Sequence, residues 1–287
     1  MDGDRPRRDL RPGGGQAGLE VAAAGGHSLL LVGPSGAGKT ILARCLPGLL
    51  PPAEAAPPRP VRVPGLALTP KGVAREFALA AGGTLILDDL PALRPATLRA
   101  LAEALDRDHE YVQLVATMSP CPCGHLGDYR SDCGCTPGQV RRRRARVGTP
   151  LTHRFDLVVG VPAVTLGELQ RGADEPSARV AARVAAVRAV QAHRGGLNAA
   201  MGPGAARRCR LDTAGRKLLD AAFEGLGLSA AALHRVLRVA RTLADMAGAE
   251  RLSAVLLVDE VLSVGDEEPT TPEHDAGDEL RVPVRSR

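Results

Sequence analysis

Gly33-Pro34-Ser35-Gly36-Ala37-Gly38-Lys39-Thr40 is the stretch whose reading decides the fold. It matches G-x-x-x-x-G-K-[ST], a pattern in which every fixed residue has a physical task. Gly33, Gly36 and Gly38 let the backbone curl so that successive N–H groups face one anion. Lys39 is the candidate for reaching β- and γ-phosphates, and the Thr40 hydroxyl for binding Mg²⁺. The helix expected to start here would add its positive end. Upstream, His27-Ser28-Leu29-Leu30-Leu31-Val32 is an apolar run that reads as a buried parallel strand. Downstream, Ile41-Leu42-Ala43-Arg44-Cys45-Leu46 carries apolar residues at helical spacing. Strand, loop and helix thus follow in the order that phosphate binding requires.

A second run, Gly83-Thr84-Leu85-Ile86-Leu87-Asp88-Asp89, ends a stretch of β-formers in two carboxylates. Such a strand is expected beside the phosphate loop. Asp88 is then placed to hold Mg²⁺, and Asp89 stands where a water-activating carboxylate belongs. A helix over 95–105 and a strand over 111–118, ending at Ser119, follow. A further apolar strand covers 157–161. Strands alternating with helices predict an α/β fold with a doubly wound parallel sheet, whose ligands gather at the carboxyl ends of the strands. Residues 59–76 carry no decisive pattern.

From 175 onward the pattern turns helical: one helix over 175–193, a second capped by Asp212 and running to about 224, a third over 230–247 capped by Ser229, and a last one opened by Ser253. The expected division is an N-terminal segment 1–26, an α/β nucleotide-binding core 27–165, a helical lid 175–264 and a disordered acidic tail 265–287.

Composition narrows the partners. The 287 residues include two Tyr, three Phe and no Trp, so the core must be built from aliphatic side chains. A net charge of +5 permits nucleic-acid binding without requiring it. No apolar run reaches membrane-spanning length and no signal core opens the chain, so a cytoplasmic location is expected. Cysteines without a secretory signal argue against a disulfide scaffold. Four of them, Cys121, Cys123, Cys133 and Cys135, form two C-x-C pairs that could hold one tetrahedral Zn²⁺, with His125 as a substitute ligand; a reduced, metal-free loop is the alternative. Arg141-Arg142-Arg143-Arg144-Ala145-Arg146 is either a nucleic-acid or partner contact or a solvated helix face.

Beyond these patterns, 15–27, 46–52, Met118-Ser-Pro-Cys-Pro-Cys-Gly124 and His234-Arg-Val-Leu-Arg-Val-Ala-Arg-Thr242 resemble the magnesium-chelatase-like AAA+ ATPase family of ComM/YifB type. The resemblance runs from about residue 9 to 264. It implies a P-loop AAA+ sheet with a C-terminal helical lid, ATP and Mg²⁺ as ligands, and a hexameric ring. It makes 33–40 Walker A, Asp88-Asp89 Walker B and Ser119 sensor 1. Arg154 becomes the arginine finger for a neighbour's ATP, and Arg235 the sensor 2 arginine carried by the lid to the γ-phosphate. DNA is the implied partner, through branch migration; chelatase relatives instead drive Mg²⁺ into a porphyrin.

The chain departs from that family pattern at several points. Walker B ends Asp-Asp where the family has Asp-Glu, and sensor 1 is Ser119 in place of Asn. The segment before Walker B is reduced to Arg59-Pro60-Val61-Arg62-Val63-Pro64-Gly65, and the link from Leu105 to Tyr111 is too short for a pore hairpin. The Lon-protease-like N-terminal domain of ComM-type proteins is not matched. Three readings follow: a working ATPase motor, a catalytically weakened nucleotide-binding subunit for regulation or assembly, and a zinc- and arginine-bearing nucleic-acid module.

Overall fold

The computed structural model describes residues 14–51, 61–64, 68–106, 111–171, 175–202, 204, 209–226 and 229–253. Its centre is a five-stranded, all-parallel sheet in the order β2-β3-β4-β1-β5. The strands are β1 (Leu29–Val32), β2 (Val61–Pro64), β3 (Thr84–Asp88), β4 (Gln113–Met118) and β5 (Leu157–Gly160). Between and after them lie α1 (Gly14–Gly25), α2 (Lys39–Cys45), α3 (Pro70–Leu79), α4 (Pro95–Asp106), α5 (Pro137–Thr152), α6 (Leu166–Arg171), α7 (Ser177–His193), α8 (Thr213–Leu226) and α9 (Ala230–Met246).

Side-chain alternation along the central strands creates two apolar layers. Leu30 of β1, Leu85 and Leu87 of β3, and Leu114, Ala116 and Met118 of β4 face α3, α4 and α5. Leu29, Leu31, Ile86 and Val115 face the other way, onto Leu19 and Ala22–Ala24 of α1, Ala43 of α2, and Val184 and Val187 of α7. The segment before residue 27 therefore contributes a helix to the core. A third cluster, built on Leu219, Val236, Leu237, Ala240 and Leu252, holds the C-terminal helices α8 and α9 together.

Two elements emerge where the sequence pattern was silent. Residues 61–64 pair with β3 as the edge strand β2; a four-residue strand bounded by prolines carries no readable period. Residues 70–79 form α3, with Thr69 Oγ1 accepting from the Gly72 N–H at 3.1 Å and Pro70 at the first helical position. That Thr-Pro start was a legible helix signal. The caps expected at Asp212 and Ser229 form, on the N–H groups of Gly215 (2.6 Å) and Ala232 (3.2 Å). The helix expected after Ser253 and the acidic tail lie outside the described residues.

The carboxylate-ended strand β3 ends at the same edge of the sheet as residues 33–40 without pairing with β1: β4 lies between them. Short parallel strands reveal their type in sequence but not their neighbours, because pairing is decided by the crossover connections.

The C-terminal helices and the sheet are joined by a buried polar network at the amino ends of the strands. His27, fully buried, sets Nδ1 3.4 Å from Asp156 Oδ2 and Nε2 2.7 Å from Thr242 Oγ1 of α9. Asn198 Nδ2 donates to the same Thr242 oxygen at 3.0 Å, and Arg238 Nη2 to Asp156 Oδ1 at 2.9 Å. Gln113 Nε2 donates to the carbonyls of Ala22 and His27. Burial pushes the Asp156 carboxyl up, but His27, Arg238 and the Ser28 N–H outweigh it and hold it below its ordinary value. Thr242→Val keeps the shape and removes the oxygen that two buried groups share. It is expected to cost about 2–3 kcal/mol, read as a lower denaturant midpoint at unchanged slope.

Candidate functional site

The carboxyl ends of β1, β4 and β3 sit side by side, and the chemistry-bearing residues collect there. The loop after β1 takes left-handed backbone at Gly36 (φ 79°) and Gly38 (φ 85°), which an L side chain rarely adopts. Gly33 passes so close to the segment after β5 that a Cβ would lie 2.0 Å from the Val161 carbonyl oxygen. The α2 helix begins at Lys39 without a side-chain cap, so its first N–H groups have no acceptor within the helix.

Lys39 is 8% exposed. Its ammonium donates to the carbonyls of Gly33 (2.8 Å) and Pro34 (2.7 Å). Burial lowers its pKa, and the charge of Asp89 opposes that shift. A buried cation resting on two carbonyl dipoles favours an anion at the same place. The residues here therefore fit a phosphate group.

Asp88 ends β3, and α2 packs against both β3 and β4. Thr40 and Asp88 supply a hydroxyl and a carboxylate, the hard oxygen donors that Mg²⁺ takes. Among the described residues, Asp89 is the one non-glycine with left-handed backbone, at φ 50°. Its N–H donates to Thr117 Oγ1 of β4 at 2.9 Å. Arg143 Nη2 donates to both of its carboxylate oxygens, at 2.8 and 3.0 Å. Ser119 follows β4 directly, next to Met118, whose carbonyl accepts from the Gly33 N–H at 3.1 Å. Walker A, Walker B and Ser119 are thus brought together.

Arg154 and Arg235 are not. Both lie at the amino ends of the strands, the opposite edge of the sheet from the loop. Arg154 forms a two-point ion pair with Asp106 at the end of α4, with Nε 2.9 Å from Oδ1. Arg235 is buried, its Nη1 donating to the carbonyls of His153 (2.8 Å) and Phe155 (3.1 Å), the two neighbours of Arg154. Within one chain neither guanidinium reaches residues 33–40.

The four cysteines converge, and all are free thiols. Sulfur separations are 3.5 Å for Cys121–Cys123, 3.6 Å for Cys123–Cys133 and 3.7 Å for Cys121–Cys133; Cys135 completes a group whose sulfurs all lie within 4.8 Å of one another. His125 stands outside this group, with Nδ1 3.8 Å from Asp128. The N–H of His125, then the Cys135 thiol, lower the Cys123 pKa to about 6.

The arginine run is dispersed by the fold. Arg143 holds Asp89, and Arg144 lies in the field of Cys121, while Arg141 and Arg142 are exposed. Arg130 went unnoticed in the sequence. It pairs with Asp128 (2.9 and 3.1 Å), and a Cβ on Gly36 would lie 3.7 Å from its Nη2. A lone arginine in a loop gives no local signal of what it covers.

Comparison with known proteins gives a consistent picture. The profile of "Magnesium chelatase, subunit ChlI" matches residues 13–58 and 69–169, and that of "Magnesium chelatase, subunit ChlI C-terminal" matches 174–260. Competence protein ComM of Haemophilus influenzae is 35% identical over 282 residues, covering 82% of this chain and 55% of its own length. Protein YifB of Salmonella typhimurium is 36% identical over 289 residues, covering 83% of this chain and 56% of its own. The chain spans about half the length of these curated relatives. Among solved structures, the Thermotoga maritima RuvB Holliday junction branch migration motor aligns over 86% of this chain and 66% of its own, at 16% identity and TM-score 0.39. No described helix is long and apolar enough to cross a membrane.

Proposed function

The chain belongs to the magnesium chelatase ChlI family, as an AAA+ protein of ComM/YifB type, and we propose that it binds ATP with Mg²⁺ at residues 33–40 and hydrolyses it within a ring of its own copies. The observation that carries this reading is Lys39: a buried ammonium at a left-handed glycine loop whose two acceptors are neutral carbonyls. Mg²⁺, when bound to Thr40 and Asp88, would neutralise charge on the phosphates. Asp89 is the carboxylate for orienting water, and Ser119 a hydroxyl at the end of the neighbouring strand β4. Residues 27–165 form the nucleotide-binding core in this reading, and 175–264 the lid.

Arg154 serves a neighbour's site, and Arg235 positions it from within its own chain. The support is their shared edge: Arg235 grips the carbonyls on either side of Arg154, so the lid fixes the segment that presents it. The similarity to a competence protein makes DNA the first substrate to test for the motor.

A second reading, a weakened nucleotide-binding subunit, is favoured by the Arg143 grip on Asp89 and by the short Asp89 side chain. One experiment separates the two: ATP turnover with and without DNA, for the wild type, Asp89→Asn and Asp89→Glu. A working motor turns over ATP, and Asp89→Asn lowers that rate by about 10² or more while nucleotide binding persists. In a weakened subunit the wild type binds ATP without turnover and Asp89→Glu gains activity. Absence of nucleotide binding in all three ends both readings.

A further inference from the structure

We propose that the segment Cys121 to Cys135 is a zinc-tied clasp over the phosphate loop, in which one Zn²⁺ on four thiolates fixes the loop's shape and thereby sets its affinity for nucleotide. The regulatory part rests on the ATP reading above; the metal site does not.

The sulfur positions carry the metal assignment. A tetrahedral ion with Zn–S bonds of about 2.3 Å places its sulfurs about 3.8 Å apart. The separations of 3.5, 3.6 and 3.7 Å fall close to this, far from the roughly 2.0 Å of a disulfide. They are also too close together to bracket a cluster of several irons. Cys121 Sγ accepts from the Leu126 N–H at 3.3 Å, a backbone contact of the kind that orients a ligating sulfur. Binding forms four Zn–S bonds, releases each thiol proton still present and leaves a site of charge 2−. The Arg144 guanidinium, in the field of Cys121, supplies part of the countercharge.

Two contacts connect this knot to the phosphate loop. Ser35 N–H donates to the Gly124 carbonyl at 2.8 Å. Gly124 itself has φ 83°, and a Cβ there would lie 2.1 Å from Ser35 Oγ, so only glycine fits between Cys123 and His125. The same segment delivers Arg130 over Gly36. The span from Cys123 to Cys133 has little apolar packing to hold it, since Tyr129 is 61% exposed and Cys123 is exposed. A four-coordinate ion supplies the rigidity that burial does not.

The test uses the full chain purified without chelator. Elemental analysis should find roughly one Zn²⁺ per chain, absent from the Cys133→Ser/Cys135→Ser variant. Removing zinc from the wild type should speed hydrogen exchange in the peptide spanning 33–40, with no nucleotide present. It should also weaken binding of a fluorescent ATP analogue about tenfold or more, with recovery on adding Zn²⁺ to the wild type but not to the variant. Gly124→Ala should keep its zinc and still lose affinity. Substoichiometric zinc, or iron in its place, overturns the metal site. Zinc whose removal leaves exchange in the loop unchanged overturns the clasp. If the zinc-loaded chain shows the exchange effect but binds no nucleotide, the ATP reading fails and the clasp stands.

Discussion

Lys39→Ala is expected to abolish Mg²⁺-dependent ATP turnover, with a loss of about 10²–10³-fold or more. The ammonium is the one cationic side chain of the loop itself, and it is already desolvated and aimed into the curl of 33–40. Removing it takes away the charge that would meet the β- and γ-phosphates, and nothing else in the loop replaces it. The fold should survive. The acceptors left behind are the carbonyls of Gly33 and Pro34 at the edge of the site, so the melting temperature should move by only a few degrees. Turnover is measured with saturating ATP, and binding separately with a fluorescent analogue. A variant that hydrolyses ATP as fast as the wild type would remove the basis of the proposed function.

Arg154→Ala should lower turnover by about 10³-fold while leaving nucleotide binding to the isolated chain unchanged. The expectation comes from position. Arg154 lies beyond the amino end of β5, and the phosphate loop follows the carboxyl end of β1, its parallel neighbour. One chain cannot bring the two together, whereas a ring in which one copy's amino edge meets the next copy's carboxyl edge can. Its ion pair with Asp106 is exposed and contributes at most about 1 kcal/mol, so lost stability should not explain lost turnover. Mixing provides the decisive measurement. Lys39→Ala and Arg154→Ala chains, each inactive alone, should regain a fraction of activity together, because some interfaces then pair an intact loop with an intact arginine. A mixture as inactive as its components would show that Arg154 does not act across an interface.

Local features were legible where they depend on neighbours in the chain. The loop at 33–40, the acidic end of β3 and the caps at Asp212 and Ser229 are written in stretches of a few residues. The C-x-C pairs were legible as candidates only, since spacing alone left a metal-free loop as the alternative. Convergence of the four sulfurs is a property of the folded loop. The arginine run was legible only as a pair of alternatives. Left open between a partner contact and a solvated helix face, it divides between exposed positions and separate contacts, because successive residues on a helix point in different directions.

The sequence by itself determined the glycine-lysine pattern of 33–40, the α/β class and the helical character of the C-terminal part, all of them consequences of local periodicity and backbone freedom. Only the tertiary structure decided that β4 separates β1 from β3, and that Arg143 meets Asp89 across 54 residues. It also decided that Arg154 faces Asp106 across 48 residues, and that His27 reaches Thr242 across 215. The physical reason is the same in each case. A guanidinium or an imidazole carries no record of its partner in the residues beside it, and strand order is fixed by which apolar faces can be buried together.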